Sequence, residues 1–460
     1  MQLNTTICAL ATGGGTSALA VIRISGPDAF LITDKIFVGK KNKKLIHQKG
    51  YTLHFGNIVW ENQLIDEVLV SVFKQPHSYT GENLVEISCH GSIFIQQSIL
   101  SALQAAGAIA AKAGEFTLRA FLNGKMDLSQ AEAVADIIAS ENKAAHTLAF
   151  QQLRGGYSDE IKKLRDELMT FAALIELELD FSTEDVEFAD RSQLETLIQE
   201  LIGNIKLLRN GFILGNVIKA GIPVAIVGKP NAGKSTLLNA LLKEDKAIVS
   251  AIAGTTRDAI EDVLVIEGTA FRFIDTAGLR DTQDEVEKMG IERSYLKMQQ
   301  ASIILYLFDA NEINITELNK EINTIQLHAK KEIFVIPVAN KIDITPENKL
   351  NEYASLKDLV TLSAKNNVGI ETLKNAFTEW IVSEKIKSSE MLVSNARHAH
   401  SLEKAEIGLQ TVMNGLTLHI PSDLLATDIR AALEALFEIT GEVTNDELLG
   451  IIFGKFCIGK

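Results

Sequence analysis

The sequence predicts a multidomain protein of the α/β and α classes: an α/β domain inserted in a helical domain and preceded by a mixed α and β segment. Three observations predict it. The chain has 460 residues, too many for one ordinary core, so two to four domains follow. Over residues 223 to about 362, short apolar strand runs alternate with helical patterns, as in an α/β domain with a mainly parallel sheet. Helical texture flanks that stretch, from Ser129 to about Gly215 and again after Val382. The divisions are 1–121, 122–219, 220–382 and 383–460, the second and fourth being two parts of one helical domain.

Composition narrows the class. Hydrophobic residues make up 46% and charged residues 23%, a globular balance rather than a disordered one. The net charge of −14 excludes a protein coated in basic surface for gripping nucleic acid along its length. Lys40, Lys41, Lys43 and Lys44 form one local basic cluster, which reads as a solvated loop. Cys8, Cys89 and Cys457 are three cysteines spread over the whole chain, not a disulfide framework, so a reducing compartment is expected. The first basic residue is Arg23, so no signal-peptide leader is expected. No apolar run approaches the roughly 20 residues that cross a bilayer. The expected location is the cytoplasm.

Taken in order, Ala20-Val21-Ile22-Arg23-Ile24 and the run over 68–73 are strand-like. Leu84-Val85-Glu86-Ile87-Ser88 leads into a helix from Phe94 to Ala106, ended by Gly107. Ser129 and Glu132 stand at capping-box spacing before the helical region, and Thr444 and Glu447 repeat that spacing near the end. Leu194, Leu197, Ile198, Leu201, Ile202, Ile205 and Leu208 recur every three or four residues and mark one apolar helix face, a bundle core.

The α/β stretch carries the chemistry. The strand run Pro223-Val224-Ala225-Ile226-Val227 is followed at once by Gly228-Lys229-Pro230-Asn231-Ala232-Gly233-Lys234-Ser235 and a helix. This is G-x-x-x-x-G-K-S in its strand–loop–helix context. Glycines let backbone N–H groups close around phosphate oxygens, and the helix N-terminus adds its dipole. Lys234 is expected on the β and γ phosphates and the Ser235 hydroxyl on Mg²⁺. Asp275-Thr276-Ala277-Gly278 closes the strand Phe271-Arg272-Phe273-Ile274, placing Asp275 on the Mg²⁺ water shell and the Gly278 N–H on the γ-phosphate. Asn340-Lys341-Ile342-Asp343 ends another strand. A carboxylate there accepts from guanine N1–H and N2–H₂, which adenine does not offer, so GTP is selected. Ser363-Ala364-Lys365 supplies the remaining base contact. Each tetrapeptide alone reads as a turn; the ordered set specifies a guanine-nucleotide site. Leu279 stands where Ras-like proteins carry a water-orienting glutamine, and Gly254-Thr255-Thr256-Arg257-Asp258 occupies the first switch position. Both fit the GTPase class typified by Era.

From here the match becomes specific. The motifs at 228–235, 254–258 and 275–280, continuing into Asp284-Glu285-Val286-Glu287, resemble the MnmE (TrmE) family of tRNA-modifying GTPases. So do Val21-Ile22-Arg23-Ile24-Ser25-Gly26, the segment 120–128, and the terminal Phe456-Cys457-Ile458-Gly459-Lys460. The resemblance spans the full chain. Gly13-Gly14-Gly15 departs from it where relatives often carry prolines.

The resemblance implies an N-terminal α+β tetrahydrofolate-binding and dimerisation domain, a discontinuous helical domain and an inserted P-loop GTPase domain. It implies a homodimer that joins the FAD protein MnmG (GidA) in a heterotetramer or larger complex. Together they would add an aminomethyl or carboxymethylaminomethyl group to C5 of the wobble uridine of certain tRNAs, with 5-formyltetrahydrofolate or a related tetrahydrofolate derivative as the one-carbon donor. The GTP-binding residues are then Asn231, Ala232, Gly233, Lys234, Ser235, Thr236, Ser250, Ala251, Ile252, Ala253, Gly254, Thr255, Thr256, Asp275, Thr276, Ala277, Gly278, Asn340, Lys341, Asp343, Ser363, Ala364 and Lys365. Asn231, Ser250, Ile252 and Thr255 would hold K⁺, and Ser235 and Thr256 would hold Mg²⁺. Glu287 matches the family's catalytic glutamate, against a reading as a solvent-facing helix residue. Arg23, Glu86, Lys125 and Lys460 match its folate-binding positions, where a cation near the glutamyl tail and a carboxylate facing the pterin make chemical sense. Cys457 is implied in tRNA modification, against a reading as a small buried hydrophobe. Two other classes compete: a ribosome-assembly GTPase of the Era or Der type, and a GTP-gated signalling switch. The first predicts an RNA-binding appendage, and no GXXG loop follows the G domain; the second predicts no folate domain.

Overall fold

The computed structural model describes residues 4–40, 43–180, 191–244, 262–274, 299–328, 333–387, 392–442 and 446–460. The chain divides into two compact units, one of Met1–Ile138, Gln152–Arg165 and Leu433–Lys460, the other of Ala139–Gln151 and Asp166–Ala432.

The first unit opens with β1 (Ile7–Leu10), β2 (Leu19–Ser25), α1 (Ala29–Ile36), β3 (Phe37–Gly39), β4 (Thr52–Trp60), β5 (Gln63–Phe73), β6 (Leu84–His90), α2 (Ile93–Ala105), β7 (Ile109–Ala110) and α3 (Glu115–Leu122). The strands form one sheet in the order β3-β4-β5-β6-β2-β1-β7. Alternation explains its layering. In β5, Val68, Val70 and Val72 point into a core with Ile22, Ile87, Phe30, Ile99 and Leu103, which α1 and α2 complete. On the opposite face Leu53, Phe55 and Leu69 stay exposed. Both expected strands in this region and the expected α2 are present, and Gly107 ends α2 at φ +120°. Strand β4 was not expected. It joins β5 through Glu61 and Asn62, at φ +50° and +61°, as a two-residue turn with both centres left-handed requires.

Four helices follow: α4 (Leu128–Ala139), α5 (Lys143–Leu153), α6 (Gly156–Asp180) and α7 (Arg191–Ala220). The capping box before α4 is not the expected Ser129–Glu132. The Gln130 N–H donates to Asp127 Oδ1 at 2.9 Å, and the Asp127 N–H donates to Gln130 Oε1 at 2.9 Å. The box is therefore Asp127–Gln130. An anionic cap suits the positive end of the helix dipole, whereas Ser129 is buried with its hydroxyl donating to Asp127 Oδ1. Thr444 of the second expected box lies outside the described residues.

In the second unit the stripe on α7 is buried as expected, with Leu194, Ile198, Leu201 and Ile205 at 0–1% exposure. The α/β domain comprises β8 (Ile222–Val227), α8 (Lys234–Glu244), β9 (Asp262–Ile266), β10 (Thr269–Phe273), β11 (Ile303–Asp309), α9 (Ile315–His328), β12 (Phe334–Asn340), α10 (Glu347–Asn351), β13 (Val360–Thr361) and α11 (Ile370–Lys387). Its sheet order is β13-β12-β11-β8-β10-β9, parallel except for the β9–β10 pair. The remaining helices are α12 (Ala396–Thr417), packed along α7 in the second unit, then α13 (Ser422–Thr440), whose residues from Leu433 count with the first unit, and α14 (Asp446–Phe453) of the first unit. No helix among the described residues is long and apolar enough to cross a membrane.

Candidate functional site

The carboxyl ends of β8, β11, β12 and β13 converge on the loop between β8 and α8, the position where ligands bind in open parallel sheets. Two glycines shape that loop. A Cβ at Gly228 would lie 2.0 Å from the Leu307 carbonyl oxygen of β11, and one at Gly233 would lie 2.3 Å from Asn340 Nδ2. Only glycine lets the loop pass this close to its neighbours. Asn231 sits between them at φ +61°. Lys234 Nζ donates to the carbonyls of Gly228 and Lys229 at 2.7 and 2.9 Å. Burial pushes its ammonium below the usual lysine range. A half-buried cation folded over a cradle that admits no side chain is the chemistry a polyphosphate needs.

Asn340 ties two motifs together. Its Nδ2 donates to the Ala232 carbonyl at 2.8 Å and its Oδ1 accepts the Ala364 N–H at 3.0 Å. The loop carrying Ser363 is closed by reciprocal Ser363–Val368 backbone bonds. Gly369 follows at φ +80°, where a Cβ would meet the Thr361 carbonyl at 2.4 Å. Lys341 stands at φ +65°, with its Nζ on Asp309 Oδ2 at 2.7 Å. Burial alone would raise the Asp309 carboxyl, but Lys341 and the N–H groups of Asn311 hold it below the usual range. Asp343 is exposed beside them. Asn231, Ala232, Gly233, Lys234, Ser235 and Thr236 thus share one end of the sheet with Asn340, Lys341, Asp343, Ser363, Ala364 and Lys365. Residues 250–256 and 275–278, and Glu287, lie outside the described residues. Sequence reasoning missed Asp309, Asn311 and Thr345. The available signal was one carboxylate ending the otherwise apolar run of β11.

A second constellation forms in the first unit. Arg23 on β2 and Glu86 on β6 are cross-strand partners, with Arg23 Nε and Nη2 donating to Glu86 Oε1 at 2.9 and 2.8 Å. Arg23 Nη1 reaches the Gly459 carbonyl at 3.2 Å. The C-terminal tail is held there by the Ala113–Ile458 bridge and by a close pass in which a Cβ on Gly459 would meet the Leu10 carbonyl at 2.1 Å. The Arg23 guanidinium lies 5.3 Å from the centre of the Tyr79 ring. Tyr79 shares a cavity of about 290 Å³ with Tyr51, Phe73, His77, Ser78 and Lys125. Lys125 Nζ donates to the Pro76 carbonyl at 3.1 Å, and the Lys460 N–H to the Cys457 carbonyl at 3.3 Å. Arg23 and Glu86 are in contact, the tail that ends in Lys460 lies against them, and Lys125 lines the adjoining cavity. Cys457 is exposed, so its reading as a buried hydrophobe does not hold; Cys8 and Cys89 are buried.

A glycine-lined loop at the carboxyl ends of a parallel sheet, tied through Asn340 to the segment carrying Ser363 and Ala364, is the architecture of a P-loop GTPase. Residues 6–125 match the family described as GTP-binding protein TrmE N-terminus, and residues 128–457 match the MnmE helical domain. The tRNA modification GTPase MnmE of Flavobacterium psychrophilum is 52% identical over 465 residues, covering 100% of both chains. That of Flavobacterium johnsoniae is 54% identical over 461 residues, covering 99% of both. The chain belongs to the MnmE family of tRNA modification GTPases. Among solved structures, Aquifex aeolicus Era bound to GDP·AlF4⁻ is 27% identical, covering 40% of this chain and 66% of that one at a TM-score of 0.25.

Proposed function

We propose that this protein is a K⁺-dependent GTP hydrolase that works in the cytoplasm as a homodimer with the FAD protein MnmG. Together they add an aminomethyl or carboxymethylaminomethyl group to C5 of the wobble uridine of certain tRNAs. The observation that carries this reading is the meeting of Arg23, Glu86 and the C-terminal Gly459 in one site of the first unit, separate in chemistry from the phosphate cradle. A GTPase needs no such site; a one-carbon transfer does.

In this reading the Gly228–Gly233 cradle and Lys234 bind the phosphates, Ser235 with Thr256 holds Mg²⁺, and Asp343 reads guanine. Asn231 with Ser250, Ile252 and Thr255 holds K⁺, which supplies the positive charge that an arginine finger supplies elsewhere. Glu287 orients water, since Leu279 lacks a polar group to do so. Arg23, Glu86, Lys125 and Lys460 bind the tetrahydrofolate derivative, which supplies the one-carbon unit. Glu86 already has Arg23 on one oxygen, Oε1, which leaves its other oxygen, Oε2, to accept from pterin donors. The exposed apolar side chains of Leu53, Phe55 and Leu69 on the open sheet face support burial against a second copy. The test is nucleoside analysis of tRNA from cells lacking the protein. Loss of the C5 modification at wobble uridines is expected; an unchanged wobble uridine would sink the proposal.

A further inference from the structure

The turn that carries Asp343 is clamped at both ends by a closed ring of hydrogen bonds. Lys341 Nζ donates to Asp309 Oδ2 at 2.7 Å. Asp309 Oδ1 accepts the Asn311 backbone N–H at 2.9 Å and the Asn311 amide at 3.2 Å. The same amide donates to Thr345 Oγ1 at 2.9 Å, and Thr345 Oγ1 donates to the Lys341 carbonyl at 2.8 Å, closing the ring on the residue where it began. The loop that carries Asn311 is held in turn from α10 and the residues after it. Lys349 Nζ donates to the Asn311 carbonyl, and the Tyr353 hydroxyl reaches the carbonyls of Ala310 and Ile313.

Three physical features give the ring a purpose. Asp309 and Thr345 are only 7% and 9% exposed, so its bonds form where water competes little. Lys341 adopts φ +65°, a left-handed conformation that a non-glycine residue keeps only when its surroundings hold it there. Between the clamped ends Asp343 remains exposed, free to meet a ligand from a fixed base. A carboxylate that must accept two N–H groups of one planar ring tolerates little displacement.

We propose that Asp309 and Asn311 are positioning residues for base discrimination, holding the turn from Lys341 to Thr345 so that Asp343 meets N1–H and the N2 amine of guanine. The proposal rests on the reading of Asp343 as the guanine-contacting residue. Its test uses the full chain and two probes, GDP and IDP, which differ only by the N2 amine that Asp343 reads. Asp309→Asn removes the pairing with Lys341 yet keeps an acceptor for Asn311. Asn311→Ala cuts the link to Thr345 without removing a charge, so it stays informative if Asp309→Asn folds poorly. Both variants should lower the GDP-over-IDP preference in Kd by about tenfold, the scale of one well-placed hydrogen bond. Equal weakening toward both nucleotides, or a wild-type ratio in both variants, overturns the strut. Asp343→Asn is the reference and should lose the preference outright. If it does not, the base-reading assignment itself fails, a result distinct from failure of the strut.

Discussion

Two of the three cysteines are sealed from solvent and the third is not. Cys8 and Cys89 are each 1% exposed. Burial pushes both thiols up to about 11, and for Cys89 the nearby Asp66 carboxylate adds to it. A thiol whose folded value is raised favours the folded state below its unfolded value of about 8.5 and loses that contribution as pH climbs toward 11. Cys457 stands exposed on the tail. Because thiolate is the reactive form, brief iodoacetamide treatment of native protein at pH 8 should label Cys457 alone. Mass spectrometry of peptides checks this; equal labelling of Cys8 would contradict the buried environment. The loop from Gly228 to Ser235 and the turns at Asn340 and Ser363 were legible in the sequence, since each motif is contiguous. It left Asp309 hidden, because a lone carboxylate at a strand end acquires meaning only when Lys341, from the next strand, arrives beside it.

At the scale of elements, the start of α4 shows how local spacing underdetermines a cap. Ser129–Glu132 and Asp127–Gln130 both satisfy the three-residue separation. Asp127 takes the role because its carboxylate also receives Lys162 Nζ at 2.9 Å, while Ser129 faces inward toward Ser158. Asp127→Ala should therefore destabilise the protein by about 1–2 kcal/mol, the cost of a lost N-cap. Urea unfolding followed by circular dichroism measures it, and an unchanged midpoint would return the cap to Ser129. Strand β4 escaped sequence reading for a related reason. Leu53 and Phe55 lie on the open face while Gly56 and Ile58 are buried, so apolar residues occupy both parities and the two-residue alternation disappears. The α7 stripe was readable because one continuous face is buried along the helix.

For the whole molecule, the proposal couples a nucleotide cycle to chemistry at another site. Hydrolysis should run faster in K⁺ than in Na⁺ at equal ionic strength. Glu287→Ala should lower kcat by about two orders of magnitude or more, the scale of a positioning or general-base residue. The same variant should abolish tRNA modification in a reconstituted assay with purified MnmG, tRNA and folate, although Arg23, Glu86 and Cys457 are untouched. Full modification by that variant would uncouple the GTPase from the chemistry. The amino-acid sequence by itself determined the alternation of strands and helices, the phosphate cradle and the choice of guanine. Those features depend on neighbours within a few residues, where backbone conformation and periodicity are set locally. Only the tertiary structure decided that Gly459 meets Arg23, that Asp309 and Thr345 close a ring around the Asp343 turn, and that one face of the first sheet stays open. Such contacts join residues brought together by strand order and helix packing, and distance along the chain leaves them no local signature.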